Sequence, residues 1–409
     1  MDPRVRRGQV DSGDCISPAD QCILGPMVIA HVLSSFFVGG QEVLAVELAT
    51  RQAARGHRVL AISLAPTVAG TLSEAFERAG VKTLHIPKRG PTIDVSLPVR
   101  LALAFRGNAV DVAHLHNQMP LIYGAPAGNL VGCAVVATRH GLIEDAGRQP
   151  WLRGHAIRLV AHLVHGFVAV STEVAESTRA SGVATEPKLV VIENGIDLGQ
   201  YQARPDVRAA VRAELGLSAD ALAIGTVCRL VECKNVGLLL RTAIPHLSPA
   251  RQLFIVGDGP ERGALESLAS SHPQGRFVRF LGQRPDVDRL LTALDLFALS
   301  SSTEGHPISV IEAMASGLPV LSTKVGGIPE MIEDGTTGFL APVDEPAFAA
   351  RLATALDQWR GWPEMGRAAR AAASERFSSE TMTDRYLALY EKIMRSRQLP
   401  LQSGGKWKR

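Results

Sequence analysis

Residues 301–320 read Ser301-Ser302-Thr303-Glu304-Gly305-His306-Pro307-Ile308-Ser309-Val310-Ile311-Glu312-Ala313-Met314-Ala315-Ser316-Gly317-Leu318-Pro319-Val320. The stretch predicts a helix. Pro307 suits the first helical position, where a missing N–H is harmless, and Gly317 suits the left-handed residue just past the end. The residues between are largely apolar, so other elements must cover the helix. A short apolar strand follows near 318–323, as in the β-α-β rhythm of a parallel sheet. Glu304 and Glu312 stand eight positions apart, and that much helix rises about 12 Å. The span suits the two ends of a nucleotide sugar, so Glu312 can serve one end and Glu304 the other. Between them Pro307, Ile308 and Ser309 open a helix whose unpaired N–H groups suit the phosphates.

The same rhythm extends outward in both directions. Apolar runs without polar alternation lie near 27–33, 57–63, 81–86, 110–115, 133–138, 166–170 and 188–192. A second series lies near 222–228, 251–256, 277–281, 294–299 and 318–323. Such runs suit parallel strands buried on both faces. The pattern predicts an α/β protein of two doubly wound domains, one over 27–204 and one over 205–378, facing a cleft at the carboxyl ends of their strands. Ala203-Arg204-Pro205 interrupts the pattern between them. The helix expected from Ser379, in the segment 379–409 that ends in a basic tail, is placed back on the first domain. Residues 1–26 are polar, broken by Pro and Gly, and read as a flexible tail, with Met27 as an alternative start.

Composition bounds the function. The chain has 409 residues, 46% hydrophobic and 20% charged, with a formal charge of +3. That is globular, and the charge does not point to nucleic acid. No apolar run reaches the roughly 18 residues of a spanning helix. Arg4, Arg6 and Arg7 are not followed by the apolar stretch of a signal peptide. The five cysteines, Cys15, Cys22, Cys133, Cys228 and Cys233, fit neither a disulfide framework nor a zinc site. Together these features predict a cytoplasmic protein with reduced thiols.

The strand ends carry the chemistry. Gly39 and Gly40 follow the first strand and open a helix that Gly56 closes. Glycines there let backbone N–H groups approach a phosphate or an acceptor, although a tight turn alone would also use them. They do not form the GxGxxG fingerprint of a dinucleotide site. His114 and His116 end one strand, and Arg139-His140-Gly141 ends the next. His140 is the stronger ligand contact because glycine follows it; His116 divides between support and substrate. A zinc site lacks a third ligand at suitable spacing. Glu193-Asn194-Gly195 is a turn, with Asn194 near the acceptor side. Arg229 and Lys234 follow the first strand of the second domain and would stabilise a diphosphate leaving group. Gly257 and Gly259 suit close backbone contact with a base or ribose, and Arg284 is a further donor contact. Asp286-Val287-Asp288 matches a metal-binding DxD string, yet aspartate at a helix start reads as a cap. Gly326-Gly327-Ile328-Pro329-Glu330 offers a second helix N-terminus, with Glu330 on substrate or on the dipole. The segment 151–165, with Arg153 and Arg158, leaves room for peripheral contact with the inner face of a membrane, but reads first as a packed helix.

Taken together, these motifs resemble glycosyltransferase family 4, the retaining GT-B enzymes, from about Val28 to Tyr390. The resemblance rests on Gly39-Gly40 with Glu42, Asn194-Gly195-Ile196-Asp197, Arg229 with Lys234, Gly257-Asp258-Gly259-Pro260, the Glu304–Glu312 pair and Gly326 to Glu330. It implies an acceptor on the first domain and a nucleoside-diphosphate sugar mainly on the second. It implies Glu312 on the ribose, Glu304 on the donor sugar, Arg229 and Lys234 on the diphosphate and His140 near the reacting carbon. It also implies no metal and no cofactor, and a glycan, lipid-linked or small-molecule acceptor. His306 departs from the aromatic or aliphatic residue common in relatives. The competing readings are a nucleotide-sugar epimerase on the same fold and a non-catalytic sugar-nucleotide binder.

Overall fold

The computed structural model describes residues 25–67, 72–90, 93–142, 151–202 and 204–397. The expected tail up to residue 24, Cys15, Cys22, Ala203 and the basic tail from 398 lie outside the described residues.

Two parallel sheets form the frame. The first has seven strands: β1 (Val28–Leu33), β2 (Arg58–Ser63), β3 (Lys82–His85), β4 (Val112–His116), β5 (Ala134–Arg139), β6 (Gly166–Ala169) and β7 (Leu189–Val191). Their spatial order is β3-β2-β1-β4-β5-β6-β7. The second has six: β8 (Leu222–Val227), β9 (Arg251–Val256), β10 (Val278–Gly282), β11 (Leu296–Leu299), β12 (Val320–Thr323) and β13 (Gly338–Ala341), in the order β10-β9-β8-β11-β12-β13. Strand order reverses between β1 and β4 and again between β8 and β11. At such points the flanking helices diverge and leave a crevice beyond the carboxyl ends.

The strands form because both faces are covered. Every residue of β1, β4 and β5 is buried, which only Val, Ile, Leu, Ala and a few satisfied polar groups permit. β13, Gly-Phe-Leu-Ala, escapes sequence reading because four residues are too few to show a period.

The helix Ser379–Ser396 lies on the first sheet. Met382, Tyr386, Tyr390 and Ile393 join Met27, Ile29, Val112 and Val136 in one core cluster. The chain therefore crosses between the two halves twice, and the crossings bond to each other. Ile196 N–H donates to the Phe377 carbonyl at 3.0 Å, and Ser379 N–H to the Ile196 carbonyl at 2.9 Å. A Cβ on Gly195 would stand 2.3 Å from the Ser378 carbonyl oxygen, so only glycine fits this crossing.

Candidate active site

The second-domain half is built where β8 and β11 end. The opening stretch forms a helix over Ile308–Ala315, with Pro307 at the N-cap rather than inside it. Gly317 is left-handed at φ +79°. Glu304 thus precedes the helix on a loop, and the full-helix rise expected between the two carboxylates does not apply. The Glu304 Oε1 accepts from Lys234 Nζ at 2.5 Å and from Ser301 Oγ at 2.6 Å. Desolvation would lower the Lys234 pKa, but the charge and hydrogen bond of Glu304 outweigh it and leave it raised. The two loops are stitched together: Ser302 N–H donates to the Cys233 carbonyl, and Ser300 Oγ to that of Asn235. Glu312 lies a turn inside the helix, where its Oε1 accepts from the Tyr201 hydroxyl at 2.8 Å. Burial raises the Glu312 pKa against that hydrogen bond. Tyr201 was invisible in the sequence, since it sits on the connector between the domains with no motif around it.

The first domain faces this half closely. Gly40 opens the helix Gly40–Ala54, and its side-chain position lies 3.9 Å from Ile308 Cδ1, so two helix N-termini converge. Gly39 is extended at φ −156°, a conformation open to any residue. Arg229 is exposed, near enough to Glu42 to oppose the upward pKa shift that burial imposes on it. Asn194 donates from Nδ2 to the His306 carbonyl at 2.7 Å. His306 is buried, its ring edge-on to Phe377. Burial pushes its pKa down to about 3. Glu330 reaches across the cleft, accepting from Thr172 N–H at 3.0 Å and Glu173 N–H at 3.2 Å. It caps the first-domain helix Thr172–Ala180, so neither a substrate role nor its own short helix explains it.

His140 ends a chain of imidazoles. His31 Nε2 meets Gln52 Oε1 at 2.8 Å, His31 Nδ1 meets His116 Nε2 at 3.0 Å, and His116 Nδ1 meets His140 Nε2 at 3.0 Å. Gln52 Oε1 only accepts, so each neutral ring donates toward Gln52 and accepts from the next. His140 Nδ1, buried and without a partner among the described residues, is left as an acceptor. Burial holds His31 and His140 down to about 4 and His116 well below its ordinary value, so all are neutral at pH 7. His116 therefore supports His140 from below the cleft. His31, His114 and His116 have ring nitrogens within 4.8 Å of one another, so the fold brings in His31 as a third nitrogen ligand that spacing along the sequence does not suggest. All six nitrogens are already hydrogen-bonded, His114 to Thr138 and Tyr390. A metal would have to break that network, so the donor set fits a hydrogen-bonded cluster better.

Other expected contacts are taken up elsewhere. Arg284 pairs with Asp286 at 2.8 Å and Glu214 at 3.3 Å in a surface network. Asp286 stands at the N-cap but caps nothing; its carboxylate bonds Arg284 and Arg289, while Asp288 bonds Arg204. The close approach that Gly257 and Gly259 allow is to the protein's own backbone. Cβ atoms there would meet the Cys228 and Leu230 carbonyl oxygens at 1.9 and 2.2 Å. The helix Trp151–Ala161 buries Ile157 and Ala161 in the first core, as a packed helix would. Among the described residues no helix is long and apolar enough to cross a membrane.

Two family models match the chain. Residues 38–200 match the model described as Glycosyltransferase Family 4, and residues 221–358 match Glycosyl transferases group 1. The N-acetyl-alpha-D-glucosaminyl L-malate synthase of Bacillus anthracis is 28% identical over 369 residues, covering 88% of this chain and 95% of that protein. A D-inositol 3-phosphate glycosyltransferase of Streptomyces scabiei is 29% identical over 393 residues, covering 87% of each. Among solved structures, Anabaena Alr3699/HepE in complex with UDP superposes with a TM-score of 0.78 at 22% identity, covering 90% of this chain and 100% of that one.

Proposed function

Because the chain belongs to the family-4 glycosyltransferases and has their GT-B fold, we propose that it moves a sugar from a nucleoside diphosphate to a hydroxyl acceptor with retention of configuration. In this reaction the bond from the anomeric carbon to the diphosphate breaks and a bond to the acceptor oxygen forms. The acceptor's proton passes to the leaving phosphate oxygen on the same face, so no protein base is needed. The observation that carries the reading is the Lys234–Glu304–Ser301 knot beside a helix N-terminus and opposite Gly40 and His140.

Each residue then has a physical task. Lys234 and Arg229 neutralise the charge that builds on the diphosphate, helped by the dipoles of the Gly40–Ala54 and Ile308–Ala315 helices. Glu304 orients Lys234 with one oxygen and keeps the other for a sugar hydroxyl. Glu312 does the same at the ribose, with Tyr201 on its Oε1. His140 Nδ1 accepts from a further sugar hydroxyl. Closure of the halves excludes water and so limits hydrolysis of the donor. Among the described residues the His31–His114–His116 group is already hydrogen-bonded, and we assign no metal. A nucleotide-sugar donor agrees with the UDP bound in the Anabaena protein, and a small hydroxylated acceptor with the relatives named for malate and inositol phosphate. We place the reaction in the cytoplasm.

The test is to incubate the protein with nucleotide sugars and acceptors and to follow nucleoside diphosphate release and the anomeric configuration of the product by NMR. A retained anomer supports the reading. An inverted anomer contradicts retention, and isomerised donor without acceptor would favour an epimerase.

A further inference from the structure

The end of β5 carries a cation that the donor chemistry leaves unused. Arg139 is 8% exposed. Among the described residues no carboxylate pairs with it, and burial alone acts on its guanidinium, pushing it down to about 10. A buried charge without a partner is costly, and proteins retain one where something else supplies the counter-charge.

Arg139 lines a cavity of about 280 Å³ with Ser34, Asn117, Gln118, Met119 and Gly141. The thirteen-residue helix Gln118–Leu130 begins at this cavity, and its N-cap, Asn117, gives it no side-chain hydrogen bond. Asn117 is occupied instead: its Oδ1 accepts from His140 N–H at 3.1 Å, and its Nδ2 donates to Gln41. Its backbone is held at φ +66°, a costly conformation for a side-chain-bearing residue. A positive helix end and a guanidinium without a carboxylate partner among the described residues therefore face one small cavity. Its wall at Gly141 is also the wall of the cleft, because the Gly141 Cα is 3.1 Å from where a Gly305 Cβ would stand.

We propose that this cavity is the acceptor subsite and that it takes an acceptor bearing a carboxylate or phosphate, with Arg139 as the counter-ion. The proposal rests on the glycosyltransferase reading and narrows it. The volume is at the lower end of small-molecule sites, which suits a hydroxy acid or a polyol phosphate rather than the buried end of a polymer. The anion on Arg139 leaves the acceptor's hydroxyl directed at the Gly305–His140 side, where the donor sugar lies.

The test compares the full-length protein with Arg139→Met, Arg139→Gln and Arg139→Lys. Acceptors are offered in matched pairs, myo-inositol against its monophosphate and L-malate against its diester; the pairs separate phosphate from carboxylate. The expected result is transfer to the charged member only. Arg139→Met and Arg139→Gln should raise KM for it about 10- to 100-fold, the range of a hydrogen bond to a charged group. kcat should change little, and Arg139→Lys should recover part of the loss. Removing a buried charge that has no carboxylate partner among the described residues should leave the melting temperature of Arg139→Met equal to the wild type or above it, whereas a structural arginine would lower it. Equal use of neutral acceptors, or an unchanged KM in Arg139→Met, overturns the proposal. Inorganic phosphate supplies an arm independent of transfer. It should stabilise the wild type and not Arg139→Met even if no nucleotide sugar binds, and no stabilisation of the wild type overturns the site.

Discussion

The backbone carbonyl oxygen of His140 lies 2.1 Å from where a Cβ on Gly305 would stand. One residue belongs to the end of β5 and the other to the loop that carries Glu304. The two halves of the site thus meet backbone to backbone, with no room for a methyl group. Gly326 and Gly327 back the same loop from within the second domain, since Cβ atoms there would stand 1.9 Å from the Glu304 carbonyl oxygen and 2.5 Å from that of Gly305, and the Gly327 position also lies 2.6 Å from Ser171 Cβ of the first domain.

Gly305→Ala should accordingly wedge the cleft open. Each domain keeps its own core, so the melting temperature should fall little while kcat/KM falls at least about tenfold, as for misplacement of reacting groups. Near wild-type turnover in a folded variant would show that closure at this point is not required.

Glu330 supplies a second link between the halves. Glu330→Ala removes two charge-assisted bonds at the N-terminus of the Thr172–Ala180 helix, with an expected cost of about 0.5–2 kcal/mol. Chemical denaturation measures the loss, and small-angle scattering should show a larger radius of gyration. An unchanged radius would mean that other contacts hold the halves together.

The buried imidazoles give a pH dependence. Their folded pKa values lie below the unfolded value of about 6.5, so the unfolded chain binds more protons between that pH and about 4. Their contribution is fully present above pH 6.5 and is lost on acidification toward 4. Proton NMR of the ring Cε1–H signals of His31 and His140, which burial holds down to about 4, should show no titration above about pH 5. Titration near 6.5 would contradict the neutral chain from Gln52 to His140.

Much of the frame was legible because buried parallel strands write themselves as apolar runs, and all but β13 stood out. The helix of 308–315 was legible through Gly317, but Pro307 proved to be its cap because the ring fixes φ without fixing a helical ψ. Lys234 and Glu304, seventy residues apart, could be paired only by their places after β8 and β11. What stayed hidden depends on side chains from distant elements. Gln52 and His31 look like ordinary helix and strand residues, and Tyr201 sits in a connector. The reverse error is equally physical: Gly257 and Gly259 signal close backbone approach correctly, yet the approaching partner is the 228–230 loop. The ion pairs of Arg284 with Asp286 and Glu214 cannot be read as such from sequence.

The most direct test of the central claim is thermal unfolding of the wild type and Lys234→Ala against UDP-, GDP- and ADP-sugars. Donor at 100 times its dissociation constant stabilises by about 2.7 kcal/mol, a rise of several degrees. The account predicts that one nucleotide class produces this rise in the wild type, and that Lys234→Ala folds normally but loses most of it. No shift with any nucleotide sugar, or an equal shift in the variant, would contradict a donor site built on Lys234 and Glu304.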